Sequence, residues 1–168
     1  MGRYRPPQPK ASPYITAAGY KKLDDELKAL WKRRAYVVKI LAAAAAEGDR
    51  SENAEYIYRK KELREIDYRI RYLQKRLPDL KVVNNLPSNP QQVFFAATVT
   101  LENEQGEEKT YRIVGPDEFD AKKGWISMDS PVAKALMKKL IDDEVKVITP
   151  NGTETLYICD IQYQVDED

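Results

Sequence analysis

The chain has 168 residues, 42% apolar and 33% charged, enough for one or two small domains with real cores but not for two large ones. It holds no His and a single Cys, Cys159, which excludes imidazole catalysis, an internal disulfide and a structural zinc site needing about four such ligands. The net charge of +1 hides an asymmetry, because residues 1 to 81 carry 20 Lys and Arg against 11 Asp and Glu, and residues 82 to 168 carry 8 against 16. A basic half suits a polyanion such as RNA or DNA, and an acidic half suits a protein partner or simple solubility.

The opening MGRYRPPQPKASP has no apolar segment of the kind that directs export, and no run in the chain is long enough to span a membrane. A cytoplasmic protein with no membrane partner is expected, with residues 1–13 as a flexible extension. Apolar residues then recur at steps of three and four: Tyr20, Leu23, Leu27, Leu30, Val37, Leu41 and Ala44, with Arg34 breaking the series. This is a heptad seam. The rhythm returns at Leu63, Ile66, Ile70, Leu73 and Leu77, before Pro78 stops the helix. Folding the chain about residue 50 sets Leu30 against Ile70 and Leu23 against Leu77. Residues 14–77 are thus predicted to form an antiparallel coiled-coil hairpin with its tip at 47–56 and arms of about 40 Å, at ~1.5 Å per residue, projecting from the rest. Ala42 to Ala46 are strong helix formers of little volume, so the far end should be slender.

The tip, EGDRSENAEY, places Asp49 and Glu52 three residues apart. Two readings compete. Asp-x-x-Glu before a helix is a variant capping box, with Asp49 as N-cap and Glu52 at the third helical position, and spacing alone favours it. The pair also suits Mg²⁺, which binds one or two protein carboxylates and keeps waters or phosphates as its other ligands. The position at the end of a long, narrowed rod favours this second reading.

On the second helix, Glu55 and Arg59, Glu65 and Arg69, and Asp67 and Arg71 fall at i and i+4, as solvated intrahelical pairs would. Lys60, Lys61 and Arg64 have no acidic residue four positions before them. Lys60, Arg64, Tyr68, Arg71 and Lys75 follow one stripe, a plausible track for a nucleic-acid backbone or simply a solvated face.

Residues 78–92, PDLKVVNNLPSNPQQ, read as a linker. Beyond it, in 93–168, the period changes to two: VFFAATVTL, KTYRIVG, GWISM, EVKVIT and ETLYICDIQYQV read as strands, with Asn151-Gly152 as a hairpin turn. Ser130 and Pro131 supply an N-cap and first helical residue for VAKALMKKL. The expected fold class is α+β, a helical hairpin followed by a small antiparallel sheet packed on one helix.

GDRSENAEY with RKKELREIDYRIRYLQKRL, and later YRIVGPDEF and WISMDSPVAKALMKK, closely resemble bacterial Gre transcript-cleavage factors of the GreB type, over about Tyr14 to Tyr163. Arg50 and the long basic run carry the type assignment. The resemblance implies an FKBP-like C-terminal domain and binding to bacterial RNA polymerase through its secondary channel. It assigns Asp49 and Glu52 as carboxylates acting in trans on a Mg²⁺ present only within the polymerase complex, with Arg50, Ser51, Asn53 and Tyr56 supporting the tip. Lys60, Lys61, Arg64, Arg71 and Lys75 would hold backtracked nascent RNA, and Ser127, Asp129, Ser130 and Pro131 would contact polymerase. The implied protein is a monomer that binds no cofactor alone and activates the polymerase's own RNA cleavage without being an enzyme itself. A non-cleaving regulator of the same channel and a structural coiled-coil adaptor are the rivals, and the GDRSEN tip argues against both.

Overall fold

A computed structural model describes residues 10–47 and 53–164. They fall into two compact units: Tyr20 to Leu80 form one, and the described residues up to Gly19 combine with those from Lys81 onward to form the other.

The first unit consists of most of α1 (Ala17–Ala46), all of α2 (Ala54–Arg76) and a short 3-10 turn at Leu77–Asp79. Burial follows the seam. Leu23, Val37 and Ala44 of α1 and Ile66, Ile70, Leu73 and Leu77 beyond the tip are buried, and Leu27, Leu30 and Leu63 pack on the cluster of Val37, Ile66 and Ile70. The helices run antiparallel, as their cross-connections show: Glu26 to Arg69, Arg34 to Asp67, Arg33 to Glu62 and Ala44 to Asn53. Arg34, the break in the apolar series, sits at a seam position and donates from Nε to Asp67 Oδ1 at 2.7 Å.

In the second unit, β3 (Ala97–Asn103), β4 (Glu108–Val114), β5 (Trp125–Ser127), β6 (Glu144–Thr149) and β7 (Gly152–Tyr163) form one sheet in the order β5-β4-β3-β7-β6. Alternation along β3 puts Ala97, Val99 and Leu101 into a core shared with Ile113, Val145, Val147, Leu156, Ile158 and Ile161. The helix α3 (Pro131–Leu136) adds Ala133 and Leu136 to that core. The unit is α+β, as expected.

Four details differ from the sequence reading. β5 pairs with β4 in parallel, so the sheet is mixed. α3 stops after six residues, because Lys138 takes a positive φ of 66° and turns back to donate to Val93 O. The β6–β7 turn is Pro150-Asn151, and Gly152, at φ 117°, already pairs with Thr149. The segment 78–92 is more than a linker: β2 (Lys81–Val82) pairs in parallel with β1 (Tyr14–Ile15), and Gln92 bridges to Leu140.

That two-stranded sheet is fastened by the Glu118 carboxylate, which accepts from the Thr16 hydroxyl, from Thr16 N at 3.1 Å and from Gly115 N at 2.9 Å. Thr16, itself buried, caps α1 by accepting from Gly19 N. Backbones approach closely here. A Cβ on Gly115 would lie 2.0 Å from Tyr14 O, and one on Gly19 would lie 2.0 Å from Glu118 Oε1.

Gly to Ala normally stabilises a compatible backbone by about 0.4–1 kcal/mol. At position 115 the opposite is expected: Gly115→Ala should cost about 1–3 kcal/mol through overpacking, read as a lower urea midpoint at unchanged slope. An unchanged or higher midpoint would show that Tyr14 and Gly115 separate freely.

Candidate functional site

The far end of the hairpin is built from small residues. Ala44 is buried in the seam, and its carbonyl accepts both from Glu47 N at 3.3 Å and from Asn53 Nδ2 at 3.2 Å. Asn53 is also the N-cap of α2, with φ −85° and ψ 102°, and its Oδ1 accepts from Tyr56 N at 3.2 Å. One amide therefore starts the second helix and ties it to the end of the first. Asp49, Arg50, Ser51 and Glu52 lie outside the described residues. The capping-box reading of Asp49 and Glu52 is nevertheless corrected, because α2 begins at Ala54 and the cap position belongs to Asn53. Tyr56 is half-buried in the first turn, with Lys60 Nζ 5.8 Å from its ring centroid.

Behind the tip the cations divide into two sets. Arg33 and Arg59 converge on Glu62 at 2.7 and 2.9 Å, and Arg59 also reaches Glu55 at 3.1 Å. Burial pushes the Glu62 carboxyl up, but hydrogen bonds from Arg33 and Arg59 outweigh it and hold it below the usual range. Its contribution to the hairpin is therefore present at neutral pH and lost on acidification. The hydrogen bonds that Arg59 donates to Glu62 and Glu55 raise its own pKa in turn. Arg69 reaches across to Glu26 at 2.7 and 3.0 Å. Asp67, expected to pair with Arg71, and Arg69, expected to pair with Glu65, thus make bonds across the hairpin. Long side chains flanking a seam meet partners on the facing helix that linear spacing cannot reveal.

Because Arg34 occupies Asp67, Arg71 is left in the other set. Lys60, Lys61, Arg64, Arg71 and Lys75 are all exposed, and no described carboxylate forms an ion pair with any of them. Tyr68, between them, is 74% exposed. Cations with aromatic faces in water suit a phosphate backbone and unstacked bases. The sequence reading missed an adjoining group: Tyr36 lies under Arg33 at 4.9 Å and Arg59 at 5.9 Å, with Tyr58 also under Arg59 at 5.3 Å. The three-residue step from Arg33 to Tyr36 was the available signal.

In the other unit, Ser127 ends β5, and its Oγ accepts from Asp129 N at 3.1 Å. The Asp129 carboxylate accepts from Ser12 N at 2.9 Å and from the Ser12 hydroxyl. Ser130 caps α3 by accepting from Ala133 N at 3.2 Å, and Pro131 is the exposed first helical residue. The four residues form one braced turn, held from outside by Ser12, which spacing could not show.

Among the described residues Glu102, Glu108 and Cys159 bring ligand-type atoms within 4.8 Å of one another. Burial first, then the hydrogen bond to Glu102, pushes the Cys159 thiol up.

With this geometry in hand, residues 13–82 match the family described as transcription elongation factor, N-terminal, and residues 87–163 match transcription elongation factor, GreA/GreB, C-term. A transcription elongation factor GreB of Pasteurella multocida is 60% identical over 154 residues, covering 91% of this chain and 98% of that protein. One of Xanthomonas axonopodis pv. citri is 55% identical over 165 residues, covering 97% and 98%. Among solved structures, the GreA factor homolog 1 (Gfh1) protein of Thermus thermophilus is 25% identical, covering 89% of this chain and 97% of that one, with a TM-score of 0.40.

The cap assignment predicts a division of effects. Asn53→Ala should cost about 1 kcal/mol of hairpin stability, visible in thermal melts followed by circular dichroism, while Asp49→Ala and Glu52→Ala leave the melt unchanged. The reverse pattern would return the cap to Asp49.

Proposed function

The chain belongs to the GreA/GreB family of transcription elongation factors, as a GreB-type member that activates the cleavage activity of RNA polymerase, and from that premise we propose how its residues divide the work. The hairpin enters the polymerase secondary channel as a monomer and carries Asp49 and Glu52 to the active site. The observation that supports this is the N-cap at Asn53, which takes the α2 cap position that spacing offered to Asp49.

Paired hard oxygen donors fit Mg²⁺, and Asp49 and Glu52 would complete a site whose other ligands come from polymerase and RNA. When bound there, the ion supplies charge neutralisation and acidifies water for phosphodiester hydrolysis. The residues of this chain perform the rest. Asp49 and Glu52 add negative charge and acceptor oxygens where a nucleophilic water must be oriented. Lys60, Lys61, Arg64, Arg71 and Lys75 neutralise phosphates of the backtracked transcript, and Tyr68 offers a stacking face. The small side chains before the tip keep the entering end narrow. Ser127, Asp129, Ser130 and Pro131 present a braced turn to polymerase, so docking energy comes from the globular unit and chemistry from the tip. Cleavage leaves a usable RNA 3′ end in the active site. The setting is the cytoplasm, where the polymerase works.

Asp49→Asn and Glu52→Gln, singly and together, should reduce cleavage of stalled polymerase complexes by orders of magnitude, given the several kcal/mol that charge at a Mg²⁺ site can contribute. Competition with unmodified protein for polymerase should survive. Near-normal cleavage by the double variant would sink the assignment. Replacing Lys60, Lys61 and Arg64 together by Ala should weaken RNA contact more at low salt than at high salt, since each phosphate contact releases counterions. A salt-independent loss would remove these residues from the RNA track.

A further inference from the structure

Arg112 is the charged side chain in the described residues that the functions above do not use and that burial makes costly. It lies on β4, is 7% exposed, and forms no ion pair with a described carboxylate. Its Nε has no hydrogen-bond partner. A buried guanidinium without a counter-charge is unfavourable, since desolvation is not repaid by pairing. Its cross-strand neighbour on β3 is Thr98, whose Oγ1 is likewise buried and without a partner. Two orphaned polar groups thus stand side by side on one face of the sheet.

That face borders a cavity of about 180 Å³ lined by Arg112, Thr16, Asn84, Phe95, Tyr163 and Gln164 among others. The volume exceeds that of a single water, whose share of liquid is about 30 Å³. The neighbouring hydroxyl is already committed: Tyr163 donates to Gln92 O and accepts from Phe94 N at 2.8 Å. On its other side the guanidinium stacks on Trp125, 5.2 Å from the ring centroid, and Lys123 Nζ lies 4.8 Å from the same ring. The ring holds Arg112 in place without neutralising it, and a second cation raises the local positive potential.

We propose that this cavity is a carboxylate-binding site, with the Arg112 guanidinium as the charge partner. A planar carboxylate matches the guanidinium fork, and charge-assisted bonds are the strongest that such a pair can make. The carboxylate is supplied either by a small acid in solution or by this chain's own Asp166, Glu167 or Asp168, which follow the cavity-lining Gln164 in sequence.

The test uses the full chain carrying Trp31→Phe, which leaves Trp125 as the one tryptophan reporter. Sodium acetate is titrated against sodium chloride at constant ionic strength, following Trp125 emission and the ¹⁵N resonance of Arg112 Nε–H. A saturable response to acetate and none to chloride is expected. The apparent affinity should fall about tenfold in Arg112→Gln, the loss of one charge-assisted bond, and stay unchanged in Thr98→Val, a substitution beside Arg112 but outside the cavity lining. A chain ending at Gln164 separates the sources: an acetate response that appears or strengthens only in the shorter chain assigns the carboxylate to residues 166–168, and an equal response in both assigns it to solution. No saturable acetate response in either chain, or one that Arg112→Gln leaves intact, would overturn the proposal.

Discussion

A hairpin of two helices has no third element to hold its register, and apolar contacts alone tolerate a slip of one heptad. The Arg34 to Asp67 bond removes that freedom, because it places a donor and an acceptor at facing positions of an otherwise apolar seam. Arg33 on Glu62, and Arg69 on Glu26, repeat the constraint along the helices. These side chains are largely half-exposed, so each pair is worth only about 0–1 kcal/mol. Their value is positional. A heptad slip would shift one helix by about 10 Å along the other, separating every pair and the Ala44 to Asn53 bond together.

The period of the seam was legible because a hairpin buries one stripe of each helix, and that demand is written in spacings of three and four. The partners of the ions were not legible. Asp67 has Arg71 at i+4, and only the register of the facing helix brings Arg34 to it. The same limit explains the cap. Asp49 and Glu52 carry a generic spacing, whereas Asn53 becomes the cap through a carbonyl nine positions earlier in the chain. In the sheet, β6 and β7 were plain from alternation, but the parallel pairing of β5 depends on a three-residue strand and the turn before it. The candidate site divides likewise. The tip motif and the basic run stand out in the sequence by composition and spacing, while the bracing of Asp129 by Ser12 joins residues 117 apart.

The electrostatic design of α2 follows from this geometry. Acidic residues near the seam are claimed by arginines whose planar forks bridge the helices, and the outward stripe is left mainly to lysines and arginines without acidic partners. Arginine suits the first duty because its donors are fixed in a plane. Exposed cations in water make contacts with any polyanion that are individually weak and exchangeable.

The amide of Asn53 has an evolutionary consequence. By joining both helices at once, it gives the two arms a tie made by Ala44, Asn53 and Tyr56 themselves. A lineage could retune or disarm the tip while inheriting the scaffold intact, much as a tool holder accepts a new bit.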